Sequence, residues 1–194
     1  MSTLVMDSTA NQPPRKRWSR AECEFIESNG LELVEGELIS KMGKKRPHSN
    51  AQRSLFLWLQ AAFGPAYVLE DEPIDVAPAD NPVNEPVPDI TVVNRRYSTF
   101  VAANPGPDEI RLLVEVAHSS LSFDRTTKAS LYARAGIAEY WVLDVAARRL
   151  IVHRDPGSGS AFGTYTTVMA FADDEAVAPA AAPHVAFPVA SAFG

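Results

Sequence analysis

The run IRLLVEVA at residues 110–117 constrains this chain more than any other segment. Apart from Arg111 and Glu115 it is wholly apolar, as a central β-strand covered on both faces would be. Alternation places Leu112, Val114 and Val116 on one face and Leu113, Glu115 and Ala117 on the other. Glu115 is therefore a carboxylate inside an apolar strand. An unpaired buried carboxylate is costly, so it requires a cation, a metal ion or hydrogen bonds. Two readings stay open: a structural pair with an Arg or Lys, or a metal ligand.

The rest of the chain surrounds this strand with alternating elements. Ser19-Arg20-Ala21-Glu22 fits a capping box, predicting a short helix to about Ser28 that stops at Gly30. LELVEGELISK (31–41) reads as a hairpin turning at Glu35-Gly36. A basic loop, Lys41 to Pro47, leads into a helix over 48–63 that ends at Gly64-Pro65. YVLEDEPIDV (67–76) suggests a strand or strand pair, and Asp89 opens a strand ending at Val93. A helix is expected over 125–135, with Asp124 as N-cap and Gly136 as its stop. Strands follow at 139–145, 149–154 and 164–171. This order predicts an α/β (α+β) fold with a central mixed sheet flanked by helices, an N-terminal helix and a β-hairpin.

The 194 residues suit one domain. Its expected span is 18–172, after a flexible polar arm (1–17) and before an Ala/Pro-rich tail or edge segment (173–194). No run approaches the roughly 18 apolar residues of a membrane span, and no signal-peptide core is visible, so a cytoplasmic location without membrane partners is expected. The single Cys23 excludes an intrachain disulfide and a cysteine-cluster zinc site. A net charge of −6 argues against coating nucleic acid through a global basic field, but a local basic patch remains compatible with phosphate binding.

Asp89 is a second acid at the start of a hydrophobic strand, and two carboxylates meeting at strand ends suit a hard cation such as Mg²⁺. Asp124 and Lys128 share a helix face. They form a surface pair, or Lys128 reaches back over Glu115 to stabilise charge on a phosphate. Glu37, just after the hairpin turn, is a candidate accessory metal ligand. His48, Lys44, Lys45 and Arg46 are candidate substrate contacts, the basic loop being the best local phosphate-binding segment. Tyr132, one turn beyond Lys128, would orient it or pack in the core.

Pro88-Asp89, then LLVEVAHSS (112–120), Asp124-x-x-x-Lys128 and YARAGIAEYWVLD (132–144) together resemble the Uma-type ("Uma two") family of restriction-endonuclease-like proteins, in the PD-(D/E)XK nuclease superfamily. The hairpin ELVEGELI (32–39) and His48 also fit, so the resemblance covers about residues 20–155. It implies a restriction-endonuclease-like core with Asp89 and Glu115 as ligands of Mg²⁺ or Mn²⁺. It departs from the superfamily pattern at Ala117, where the motif lysine would stand; Lys128 is the expected replacement. The implied function is metal-dependent hydrolysis of phosphodiester bonds in DNA, by a homodimer. The alternatives are a catalytically inactive nuclease-fold module that binds protein or nucleic acid, and a different metal-dependent hydrolase such as a phosphatase. The absence of a histidine-rich metal motif counts against the last.

Overall fold

The structure is a computed structural model that describes residues 16–24, 26, 30–41, 43–157 and 163–194. The expected arm falls almost wholly outside these residues, as does the end of the first expected helix.

Helix α1 (Arg20–Cys23) starts at Ser19 with the capping box in place. Strands β1 (Leu31–Val34) and β2 (Glu37–Ser40) form a separate antiparallel hairpin. Its turn residues Glu35 and Gly36 both have positive φ (50° and 76°), as a tight two-residue turn requires. The hairpin is tied to the body from outside the main sheet: Leu33 exchanges main-chain hydrogen bonds with Glu85, and Arg134 clamps Glu35.

Helix α2 (Arg46–Phe63) begins with Pro47 in its first turn and ends at Gly64. Strands β3 (Val68–Glu70), β4 (Ile90–Val93), β5 (Ile110–Ala117), β6 (Glu139–Asp144), β7 (Arg149–Pro156) and β8 (Tyr165–Phe171) form one six-stranded sheet in sequence order. All neighbours are antiparallel except β5 and β6, which are parallel and joined through helical segments. The sheet is therefore mixed, as predicted. The strand expected over 67–76 stops early because Asp71 turns left-handed (φ 54°) and Pro73 lacks an N–H for a ladder. Ile74 and Val76 are instead buried in irregular chain.

One face of the sheet packs on Ala51, Leu55 and Leu59 of α2; the other packs on Leu131, Tyr132 and Ala133 and on the hairpin's Val34. The segment 173–194 does not hang off as a tail, nor does it extend the central sheet. It forms a small ladder of β9 (Ala176–Val177) and β10 (Phe187–Pro188). Phe187 and Val189 are fully buried, with the Phe187 ring edge-on to Trp58 at 4.9 Å. Two large apolar anchors are enough to dock an otherwise Ala/Pro-rich stretch, each worth about 1.5–3 kcal/mol when buried.

Candidate active site

The register of β4 on β5 pairs Ile90 with Val114, so the residue before β4 lies beside Glu115 near the C-terminal end of β5. That residue is Asp89. Its Oδ2 accepts the Val116 main-chain N–H at 2.7 Å, which fixes the carboxylate against the strand. Its Oδ1 is buried without a directed hydrogen bond, although the ammonium groups of Lys41 (3.0 Å) and Lys44 (3.1 Å) face it. Burial alone would raise the Asp89 carboxyl; the charges of Lys41, Lys44 and His48 outweigh it and hold the group well below the usual carboxylate range.

Glu115 has the opposite balance. Burial pushes its carboxyl up, to about 8, against the lowering influence of Lys128 and Lys41. Its Oε1 accepts from Lys128 at 2.8 Å and from the Tyr132 hydroxyl at 3.3 Å. Its Oε2 faces Lys41 at 3.7 Å.

Lys128 reaches this position through a distortion of its helix. After β5 the chain enters α3 (Leu121–Phe123), widens into a π-turn (Asp124–Lys128) and continues as α4 (Ala129–Arg134). Such turns insert one residue and re-aim side chains, often at functional sites. Here both Asp124 and Lys128 turn inward and are buried. Asp124 is thus not the N-cap expected from the sequence. The helix begins three residues earlier, Ser120 donates to the Asp124 carboxylate at 2.6 Å, and Tyr140 donates to its main-chain oxygen at 3.1 Å. Lys128 is essentially inaccessible and sits between two acids, Glu115 and Glu32, each 2.8 Å away. Burial opposes its charge, but Glu115 and Glu32 prevail and hold the ammonium protonated, well above the usual range.

Glu32 was not among the sequence candidates; Glu37 was. Both lie on the hairpin face that carries Val34, since Glu37 pairs with Val34 and Glu32 with Ile39. Glu37 sits at the turn end and is exposed, outside the cavity lined by Asp89, Glu115 and Lys128. Glu32 sits deeper, is buried, and accepts the Val87 N–H at 3.2 Å. The alternation of LELV, which puts Glu32 on the side of Val34, was the available signal. Lys41 was singled out only as part of the basic loop, yet among the described residues it is the lysine that lies within 4 Å of both acids.

The basic loop divides. Lys44 joins the site, with Asp71 at 2.6 Å and Gln52 at 3.0 Å. Lys45 is exposed at the mouth, and Arg46 is exposed outside the cavity. His48 is buried, with Nε2 3.7 Å from Asp89 Oδ1 and without a hydrogen-bond partner among the described residues; burial keeps its pKa below the usual value. The cavity these groups line has a volume of about 180 Å³.

A mixed sheet with an acid pair at adjoining ends of antiparallel strands is the core expected from the sequence, with the lysine delivered from the helix after β5 rather than from the strand. The comparisons agree: residues 22–190 match the Uma2 family, described as "Putative restriction endonuclease", and the chain belongs to that family. Among solved structures it is similar to a protein from Anabaena variabilis ATCC 29413 described as "a putative nuclease belonging to DUF820". The TM-score is 0.63 at 16% identity, over 84% of this chain and 89% of that one, a likeness of fold. No curated protein matches the chain. Among the described residues no helix is long and apolar enough to cross a membrane.

Proposed function

We propose that this protein is a Mg²⁺- or Mn²⁺-dependent endonuclease that hydrolyses phosphodiester bonds in DNA. The observation that carries the reading is the convergence of Asp89 Oδ1 and Glu115 Oε2 on one point, with the Lys128 ammonium fixed behind Glu115. The family description supports the reaction class.

The residues fit a hard divalent ion. Asp89 Oδ1 is a buried anionic oxygen lacking a directed partner, and both free donors are carboxylate oxygens. Among the described residues no group of three or more His, Cys, Asp or Glu forms a cage. Two carboxylates nevertheless suit Mg²⁺, which keeps waters and shares phosphate oxygens. Asp89 and Glu115 would hold the ion; Glu37, exposed and apart, is dropped from that set. A bound ion supplies charge for phosphoryl oxygens and acidifies water.

The chain's own groups do the rest. Val116 N–H orients Asp89, and Lys128 with Tyr132 orients Glu115. Glu32 holds Lys128 from the other side, so the ammonium stays fixed behind Glu115 and its positive charge acts on the site across that carboxylate. Lys44 and Lys45 meet the incoming backbone at the mouth, a local basic patch on an acidic protein.

One observation favours a second reading. Lys41 and Lys44 already neutralise Asp89, as they would in a nuclease fold kept only for binding. Cleavage of supercoiled plasmid and single-stranded DNA with Mg²⁺ or Mn²⁺ separates the two, comparing wild type, Asp89→Ala and Lys128→Met. Metal-dependent cutting that both substitutions abolish, in proteins that still melt cooperatively, is the expected result. Tight DNA binding without cutting would establish the binding module instead.

A further inference from the structure

We propose that Lys41 is the resident cation of the metal position: its ammonium neutralises Asp89 and Glu115 until a divalent ion displaces it toward Asp71. This rests on the reading that Asp89 and Glu115 hold the ion.

Three oxygens surround the Lys41 ammonium. They are Asp89 Oδ1 at 3.0 Å, Glu115 Oε2 at 3.7 Å and the Val87 main-chain oxygen, to which it donates a hydrogen bond. The two carboxylate oxygens are those left over once Val116 has engaged Asp89 Oδ2, and Lys128 and Tyr132 have engaged Glu115 Oε1. An all-oxygen pocket around a positive charge is what a hard cation requires. An ammonium and a divalent ion a few ångströms apart repel strongly, so one position does not hold both.

The three lysines differ in how they are held. Lys128 is buried and makes a close hydrogen bond to Glu115, with Glu32 equally near. Lys41 faces Asp89 Oδ1 by charge alone, because that oxygen makes no directed hydrogen bond. Lys41 also has somewhere to go. Asp71 Oδ1 lies 4.0 Å from its ammonium, on a carboxylate that is nearly half exposed. The chain beyond Lys41 passes through Gly43, which has a positive φ (88°) and nothing within 4 Å of where a Cβ would stand. Withdrawal would set Lys41 beside Lys44, which already contacts Asp71, and place two ammonium groups at the mouth where a phosphate arrives. The exchange would therefore turn a counter-ion of the empty site into a substrate contact of the loaded one.

Mn²⁺ titration of the full chain by calorimetry tests this with wild type, Lys41→Met and Asp89→Asn. Lys41→Met is expected to bind Mn²⁺ tighter than wild type, on the order of tenfold or more, as removing a partly screened unit charge beside the ion would give. Asp89→Asn is expected to lose binding. Equal or weaker binding by Lys41→Met, with binding still lost in Asp89→Asn, would overturn the role of Lys41 and leave the metal site standing. Absence of binding in all three, or binding that survives Asp89→Asn, would remove the site and this inference together. Should Lys41→Met not fold, amine acylation of wild type gives the answer, with Lys41 resolved from Lys44 and Lys45 by tandem mass spectrometry. Labelling of Lys41 is expected to rise when Mn²⁺ is added; unchanged labelling overturns the exchange.

Discussion

The site has two halves that are built differently. The inner half, Glu32, Glu115, Lys128 and Tyr132, comes from β1, β5 and the helix after β5, and all four side chains are buried. The outer half, Asp89, Lys41, Lys44 and Asp71, comes largely from loops, and its cations are partly exposed. The inner half holds two carboxylates against one ammonium. Burial raises the pKa of Glu115, and the charges of Asp89 and Asp124 add to the rise. The outer half, two carboxylates and two ammonium groups, is neutral by count. The buried groups thus stand on strands and a helix and the more exposed cations on the loops beside them, as a site that must be preorganised yet admit a ligand requires.

The comparison is most exposed to Lys128→Ala, which would strand Glu32 and leave Glu115 with Lys41 alone, 3.7 Å away. Such a loss typically costs about 3–5 kcal/mol, so thermal and urea unfolding should show a large fall. A change comparable to that of a surface lysine would mean that the inner half is not the structural one. Asp89→Asn should be milder for the fold, because an amide oxygen can still accept the Val116 N–H. It should still reduce Mg²⁺-dependent cleavage by about 100-fold or more, the scale of losing a transition-state charge contact. Cleavage within a few-fold of wild type would move the chemistry elsewhere.

A smaller effect is expected with pH. The Glu115 carboxyl rises from 4.5 in the unfolded chain to about 8 in the metal-free fold. Its contribution to stability is then fully present below 4.5 and lost as pH rises through about 8. Asp89, lowered, acts in the opposite sense, its contribution fading only as pH falls below its ordinary value. The metal-free protein should therefore melt at a lower temperature at pH 9 than at pH 6, and Glu115→Gln should flatten that slope. Mn²⁺ binding near pH 7 should also release protons, read as a buffer dependence of the calorimetric heat. The smallest change belongs to Lys44→Ala. Stability should fall by about 1 kcal/mol, since Lys41 still faces Asp89 at 3.0 Å. The salt dependence of DNA binding should lose about one unit of slope if that ammonium meets a phosphate.

The inner half was only partly legible in the sequence. Glu115 was conspicuous because an acid interrupts an apolar run, and Asp89 followed from its place before the next hydrophobic strand. Strand alternation alone put Glu115 and Leu113 on one face, and the structure has them so. Glu37 was the candidate for its place just after the hairpin turn; Glu32 lies on the same face, and only the docking of the hairpin decides which end is deep. The π-turn left no local mark. Tyr140 of β6 donates to the Asp124 main-chain oxygen within it, a contact that exists only after β6 has packed. The C-terminal segment was misjudged for a related reason. Its composition is that of a tail, and the two residues that anchor it are significant only beside Trp58 and Trp141.

The hairpin carries one member of each half. Glu32 lies within β1, and Lys41 directly follows β2, its main-chain N–H bonded to Gly30 at 2.7 Å. Because the hairpin is not a strand of the central sheet, its place over the site is set by the Leu33–Glu85 main-chain pair, the burial of Val34 and the Arg134–Glu35 ion pair. Those few contacts position one anion and one cation together, so this small element orients a dipole over the acid pair while adding nothing to the net charge of the site.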